Sequence, residues 1–156
     1  MSSITLDRTT STGKRAIAAL DIAQGAVIHR ICHYQIRNTP TYTSVQLSAD
    51  LHIEEQYLAS LNHSCDPNVL INVETLELQA IRDIKTGEEL SFFYPSTEWE
   101  MDAPFDCLCQ SSRCLKKIAG AKFLTIETLS QYMLNRHICT QILGTLAQSS
   151  RITQAA

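Results

Sequence analysis

No hydrophobic run in this chain exceeds a few residues, as in Val69-Leu70-Ile71, whereas a membrane-spanning helix needs about 20, so no spanning segment is expected. Blocks of lysine and arginine are also missing. Thirteen basic residues against 16 acidic ones give a formal charge of −3 and a pI near 5.9, without the basic patch of a direct nucleic-acid binder. From Thr86 to Ser112 there is no lysine or arginine at all, while Glu88, Glu89, Glu98, Glu100, Asp102 and Asp106 fall in the same stretch. Such a segment attracts a cationic partner and discourages phosphate. The first twenty residues lack the apolar core and cleavage pattern of a secretory signal. A reducing, intracellular compartment is therefore expected, cytoplasmic or nuclear alike.

What is present describes one ordinary domain. With 156 residues, 44% of them hydrophobic and 19% charged, the chain can bury about 68–70% of its unfolded surface, enough for a self-sufficient core. Short apolar segments with β-branched residues recur between polar turns over residues 16–20, 26–31, 42–47, 69–73, 76–81 and 89–94. These read as strands of small sheets, and a helical stretch is expected only around 54–61. Gly25 and Gly87 mark turns. Residues 95–117 change character to a loop containing Pro95, Trp99, Pro104, Phe105 and three cysteines, too irregular to pack without an organiser. Beyond it Thr125 can cap a helix, and Ile126, Leu129, Met133, Ile138, Ile142 and Leu146 recur at helical spacing, so one long C-terminal helix is expected. Gly144 weakens its last turns, and residues 149–156 are expected to form a flexible tail.

Cys107-Leu108-Cys109 and Cys114 form C-x-C-x4-C, three soft ligands within eight residues. A tetrahedral zinc requires four donors, and in a reducing compartment clustered thiols read first as metal ligands. Cys65, in Asn62-His63-Ser64-Cys65-Asp66-Pro67-Asn68, is the best remote fourth ligand, with His63 its competitor. Cys32 and Cys139 lie in apolar patterns and are expected in the core. Trp99 and Phe105 are expected to form a small core around the metal loop rather than a lid.

Asn62-His63-Ser64-Cys65, then Gly87-Glu88-Glu89-Leu90-Ser91-Phe92-Phe93-Tyr94, then C-x-C-x4-C resembles, in order and spacing, a SET domain with its post-SET zinc loop. The resemblance covers about residues 13–118. It implies a mainly β fold, a SET-type β-clip of small sheets with pseudoknot threading, in which the Asn-His-Ser-Cys segment and the last motif interlock. On that reading residues 1–97 form the SET core, 98–118 the post-SET zinc loop and 119–148 the C-terminal helix.

The resemblance further implies an S-adenosylmethionine-dependent methyltransferase acting on a protein lysine. Asn62 and His63 then match positions that hold the cofactor, and Gly13, Lys14 and Arg15 match the glycine motif beside it. Tyr94 matches the catalytic tyrosine and also borders the cofactor. Phe92 matches the position that influences how many methyl groups are added. Cys65, Cys107, Cys109 and Cys114 match the zinc ligands. Two departures stand out. Arg15 replaces a glycine that normally lies against the cofactor, and its side chain is tolerable there only if it points outward. Only residues 48–61 separate the third strand from Asn62, where a longer insert commonly walls the peptide groove. The partner implied is a protein or peptide bearing a lysine, a histone-like tail among them, with no direct nucleic acid, no membrane, and a homodimer through the C-terminal helix as an added expectation. Two alternatives accompany this reading: a cofactor-free, zinc-stabilised interaction module, and a SET-like enzyme acting on a small-molecule amine.

Overall fold

Ile4, Ala16 and Ala18 are buried while Thr5 is exposed and Arg15 and Ile17 are half-exposed, the period-two pattern of a half-buried hairpin. The computed structural model, which describes residues 3–10 and 13–154, with side chains for residues 3–8 and 13–148, accordingly begins with strands β1 (Ile4–Thr10) and β2 (Gly13–Ala18) paired antiparallel. β3 (Val27–Arg30) is followed by β4 (Gln35–Arg37), β5 (Val45–Ser48) and β6 (Leu51–Glu54). Then come β7 (Asn62–His63), β8 (Val69–Asn72), β9 (Glu77–Ala80) and β10 (Ser91–Phe92). β11 (Phe105–Asp106) and β12 (Lys117–Ile118) bracket the cysteine loop, and the chain ends in helices α1 (Ile126–Leu129) and α2 (Arg136–Gln154). The three-stranded sheets run β3-β9-β8 and β4-β6-β5.

The main core lies between these sheets. Ile53, Ile71, Leu78, Leu90 and Ala16 are all fully buried in it, drawn from β6, β8, β9, the segment before β10, and β2. Gly25 and Gly87 do form turns with positive φ (82° and 88°), and the segments around them are joined by reciprocal backbone bonds between Ile22 and Ile84, both 2.8 Å. β7 and β10 pair in parallel, Asn62 opposite Ser91 and His63 opposite Phe92. The Asn68 side chain extends that contact, donating to Glu89 O (2.8 Å) and accepting from Ser91 N (2.9 Å). Two segments 29 residues apart in sequence thus lie side by side, as the threaded topology demands.

Several expectations are corrected. Residues 54–61 are not helical: β6 ends at Glu54, and only a single 3₁₀ turn (Leu58–Ser60) follows. Glu55 Oε2 caps that turn by accepting from Tyr57 N and Leu58 N, after which Leu61 returns to extended backbone for β7. The long C-terminal helix is present as α2, but it begins at Arg136. Thr125 caps only the one-turn α1, its hydroxyl accepting from Thr128 N. Between them Tyr132 and Asn135 bond outward. Asn135 Nδ2 donates to Ile71 O and Ser96 O while its Oδ1 accepts from Val73 N, so one buried amide satisfies three distant backbone groups. These tertiary bonds override the helical period. α2 continues to Gln154, and the end of the expected tail, residues 155–156, lies outside the described residues. Cys32 and Cys139 are exposed and are not core residues; Cys32 follows the buried Ile31, and Cys139 follows the buried Ile138 on the outer side of α2. Among the described residues no helix is long and apolar enough to cross a membrane.

Candidate active site and metal centre

Sulfur atoms of Cys65, Cys107, Cys109 and Cys114 converge from two parts of the chain, all within 4.8 Å of one another, with Cys65 and Cys107 3.9 Å apart. A tetrahedron with Zn–S near 2.3 Å has edges of about 3.8 Å, so a small contraction would complete a four-thiolate site. The donor set fits zinc. Cys65 thereby stands where a fourth donor is needed, while its competitor His63 lies outside the group of four, with Nε2 3.3 Å from the Cys65 sulfur. Burial pushes the Cys65 thiol up to about 11 and raises that of Cys107 as well, which disfavours thiolates until a cation compensates them. The loop needs left-handed backbone at Gln110 (φ 59°) and Lys116 (φ 67°), conformations that non-glycine residues adopt uncommonly.

β7 and the end of β10 place the motif residues beside this centre. Tyr94 Oη donates to Leu61 O (2.9 Å), and Tyr94 N donates to His63 Nδ1 (3.2 Å). His63 sits between Phe93, Tyr94 and Phe105, with ring centroids 5.2–5.8 Å from its own, and burial pushes its pKa down to about 4. It is therefore a neutral imidazole. The Phe92 ring lies 4.7 Å from that of Tyr94, and burial raises the phenol pKa well above its ordinary value. Asn62 Nδ2 donates to Glu89 Oε1 at 2.6 Å.

A cavity of about 690 Å³ joins these groups. Gly13, Lys14, Asn62, His63, Phe92 and Tyr94 all border it, so six of the seven non-cysteine site positions read from sequence come together. Arg15 does not. β1 and β2 place it opposite Asp7, which it meets through a 2.9 Å ion pair and a 3.0 Å bond from Nε, with Glu89 3.9 Å away. The side chain that threatened the cofactor points out of the cavity.

Cys107 and Cys109 border both the cavity and the metal centre, so zinc-loop order and cavity shape are one problem. Phe105 packs on the cysteine cluster as expected, whereas Trp99 joins a separate core with Phe93, Ala121, Leu129 and Ile138. That second core anchors the cysteine loop. Tyr132 stacks on Phe93 (centroids 3.6 Å, 4° between planes), donates to Cys65 O (2.9 Å), and carries the Arg113 guanidinium 5.4 Å above its ring. Sequence reasoning overlooked Tyr132, for which helical periodicity gave no warning. It also passed over Glu98 as one acid among several, although this residue is 7% exposed and borders the cavity.

A sequence model of the SET domain matches residues 13–95. The methyltransferase flvH of Aspergillus flavus is 41% identical over 133 residues, covering 83% of this chain and 74% of the relative. The H3 lysine-9 specific histone-lysine N-methyltransferase KMT1 of Fusarium mangiferae is 36% identical over 36% of this chain, which spans 22% of that protein. A crystal structure of KRYPTONITE in complex with mCHH DNA, H3(1-15) peptide and SAH superposes with a TM-score of 0.54 at 18% identity, over 73% of this chain and 29% of that one. The family match spans more than half of the chain, a relative aligns over most of it, and the motif residues meet in one cavity beside a four-cysteine centre. The chain belongs to the SET-domain family of S-adenosylmethionine-dependent methyltransferases.

Proposed function

We propose that the protein transfers a methyl group from S-adenosylmethionine to the ε-amine of a lysine on a protein or peptide. The observation that carries this reading is the Tyr94 hydroxyl, whose proton is committed to Leu61 O within the cavity. Its oxygen is left as an acceptor for an amine N–H, and its raised pKa keeps it neutral. S-adenosylmethionine supplies an electrophilic methyl on a sulfonium. Asn62, His63, Gly13 and Lys14 are the candidates to hold it, while Tyr94 orients the amine lone pair and Phe92 excludes water beside it. Positioning of this kind supplies most of the acceleration in a displacement that needs no covalent help from the protein.

Glu98, Asp102 and Asp106 border the cavity against a single lysine, Lys14, which favours a cationic acceptor such as a histone-like tail. A second reading, a small-molecule amine acceptor, is favoured by the short stretch before Asn62. There β6 and one 3₁₀ turn use up the residues with which a longer insert would wall a peptide groove. Incubating the protein with methyl-labelled S-adenosylmethionine and either a cell lysate, an H3 tail peptide or free amines distinguishes the two. Label in protein or peptide supports the first reading, and label confined to small amines supports the second. The partly exposed Leu143 and Leu146 on α2 favour pairing of two copies through that helix. Four free thiols arranged for a metal suit a reducing interior, cytoplasmic or nuclear.

A further inference from the structure

Displacement at the methyl carbon needs a neutral amine, yet a lysine amine enters carrying a proton, and Tyr94, with its own proton committed, is not equipped to take another. The cavity contains a better candidate. Glu98 Oε1 accepts from Gln46 N (2.8 Å) and from Thr97 Oγ1 (3.0 Å). Its Oε2 has no hydrogen-bond or ion-pair partner among the described residues, and it is absent from the fully sealed polar atoms that lack one. Other buried acids are provided for: Glu77 pairs with Arg30 at 2.7 Å, and Glu55 faces His29 while capping a turn. Glu98 alone among these is held by one oxygen, and the other, unpaired and not fully sealed, belongs to a residue that borders the cavity.

Its placement is firm. Gln46 grips the segment twice, through its backbone to Glu98 and through Oε1, which accepts from Trp99 N (2.9 Å). From behind, Ala121 N donates to Glu98 O (2.9 Å) and Lys122 N to Trp99 O (3.0 Å). That close approach depends on Gly120, with φ of 116°, where an added Cβ would fall 2.8 Å from Trp99 C and 2.9 Å from Glu100 Cα. Burying a carboxylate without a cation costs stability, and one so rigidly mounted at the cavity's border is arranged for a cation that arrives.

We infer that Glu98 receives the substrate's ammonium group in the cavity and accepts its proton before methyl transfer. This rests on the amine methyltransferase reading given above. The ammonium N–H bond breaks and an O–H bond forms at Oε2. The freed nitrogen lone pair then attacks the methyl carbon as the C–S bond breaks, its electron pair remaining on sulfur. The product is a methylated ammonium and a neutral thioether, and Glu98 returns its proton to solvent. Burial supports the role by pushing the Glu98 pKa up to about 7, close to working pH, while the low-dielectric cavity and a sulfonium lower that of the amine.

The groups around Glu98 leave its titration recognisable. Tyr94 is raised far above neutrality, and His52 on β6 and His137 on α2, the latter bonded to Thr97 O, are both lowered by burial. Asp102 and Asp106, with Lys14, are the other charged groups on the cavity wall. The test uses the zinc-loaded full chain and n-butylamine, which reproduces the reacting end of a lysine. S-adenosylhomocysteine (SAH) is titrated first, and n-butylamine is then titrated into the complex between pH 6 and 9. We expect wild-type binding to strengthen with a midpoint near pH 7. Glu98→Gln should keep SAH affinity within a few-fold, which shows that it is folded, yet bind the amine at least tenfold more weakly and without that midpoint. Methylation of saturating n-butylamine should fall about 10²-fold or more in Glu98→Gln, while Glu98→Asp should keep the pH limb at reduced rate. Equal amine affinity, an unchanged pH–rate profile in Glu98→Gln, or an SAH complex that takes no amine overturns the assignment and leaves cofactor binding standing. Failure of wild type to bind SAH overturns the methyltransferase reading, and this inference with it.

Discussion

At the scale of single residues, the site depends on where protons are committed. Tyr94 gives its own to Leu61 O, so Tyr94→Phe should bind S-adenosylmethionine within a few-fold of wild type but lose about 10²-fold or more in methyl transfer, measured with labelled cofactor. Phe92 provides a companion readout, because its buried ring leaves the space that a tyrosine hydroxyl would fill. Wild type should add more than one methyl and Phe92→Tyr should stop earlier, as mass spectrometry of the product will show. Glu98 makes a further prediction, about stability. Its folded pKa, near 7, lies above the ordinary 4.5, so the native state binds more protons than the unfolded one between those values and stability falls as pH rises through them. Glu98→Gln should therefore raise Tm at pH 8 and leave it nearly unchanged at pH 4.5 or below; a variant less stable at pH 8 would contradict that sign.

Among the elements, the cysteine loop and the C-terminal segment cooperate more than their sequences suggest. Tyr132 bonds Cys65 O and stacks on Phe93, so loop, motif and C-terminal core share one ring. Because four thiolates couple folding to metal, we expect one zinc per chain, and Cys109→Ser should lose it and release amides of residues 99–117 to fast hydrogen exchange. Metal analysis of protein purified without chelator is the check, and absence of stoichiometric zinc would refute the site. Local pattern revealed the strands that alternate or are uniformly apolar, such as β8 and β9. It did not reveal β1, whose Thr5, Asp7, Arg8 and Thr9 read as polar coil, nor β4 and β6, where three or four residues become strand through pairing with one another and, for β6, with β5. The helix break at Ser130–Asn135 was equally hidden, since an asparagine bonding to backbone more than 60 residues away leaves no local signature.

For the molecule as a whole, residues fixed by motif spacing were legible and those fixed by folding were not. Asn62, His63, Phe92, Tyr94 and the four cysteines announced themselves through order and interval. Glu98 became conspicuous only once Gln46, Thr97 and Gly120 enclosed it, and Arg15 lost its threat only when β1 set Asp7 opposite it. The α2 surface adds an expectation about assembly: sedimentation should show a dimer, and replacing Leu143 and Leu146 with glutamate should give a monomer with the site unaltered. A wild type that stays monomeric at high concentration leaves those leucines merely solvated. Central to the whole account is that the cavity bordered by Gly13, Asn62, His63 and Tyr94 is a working cofactor site despite Arg15. Isothermal titration of the zinc-loaded protein with S-adenosylmethionine tests this most directly: the account predicts saturable binding of one equivalent per chain, and an absence of binding heat across buffers of different ionisation enthalpy would contradict it.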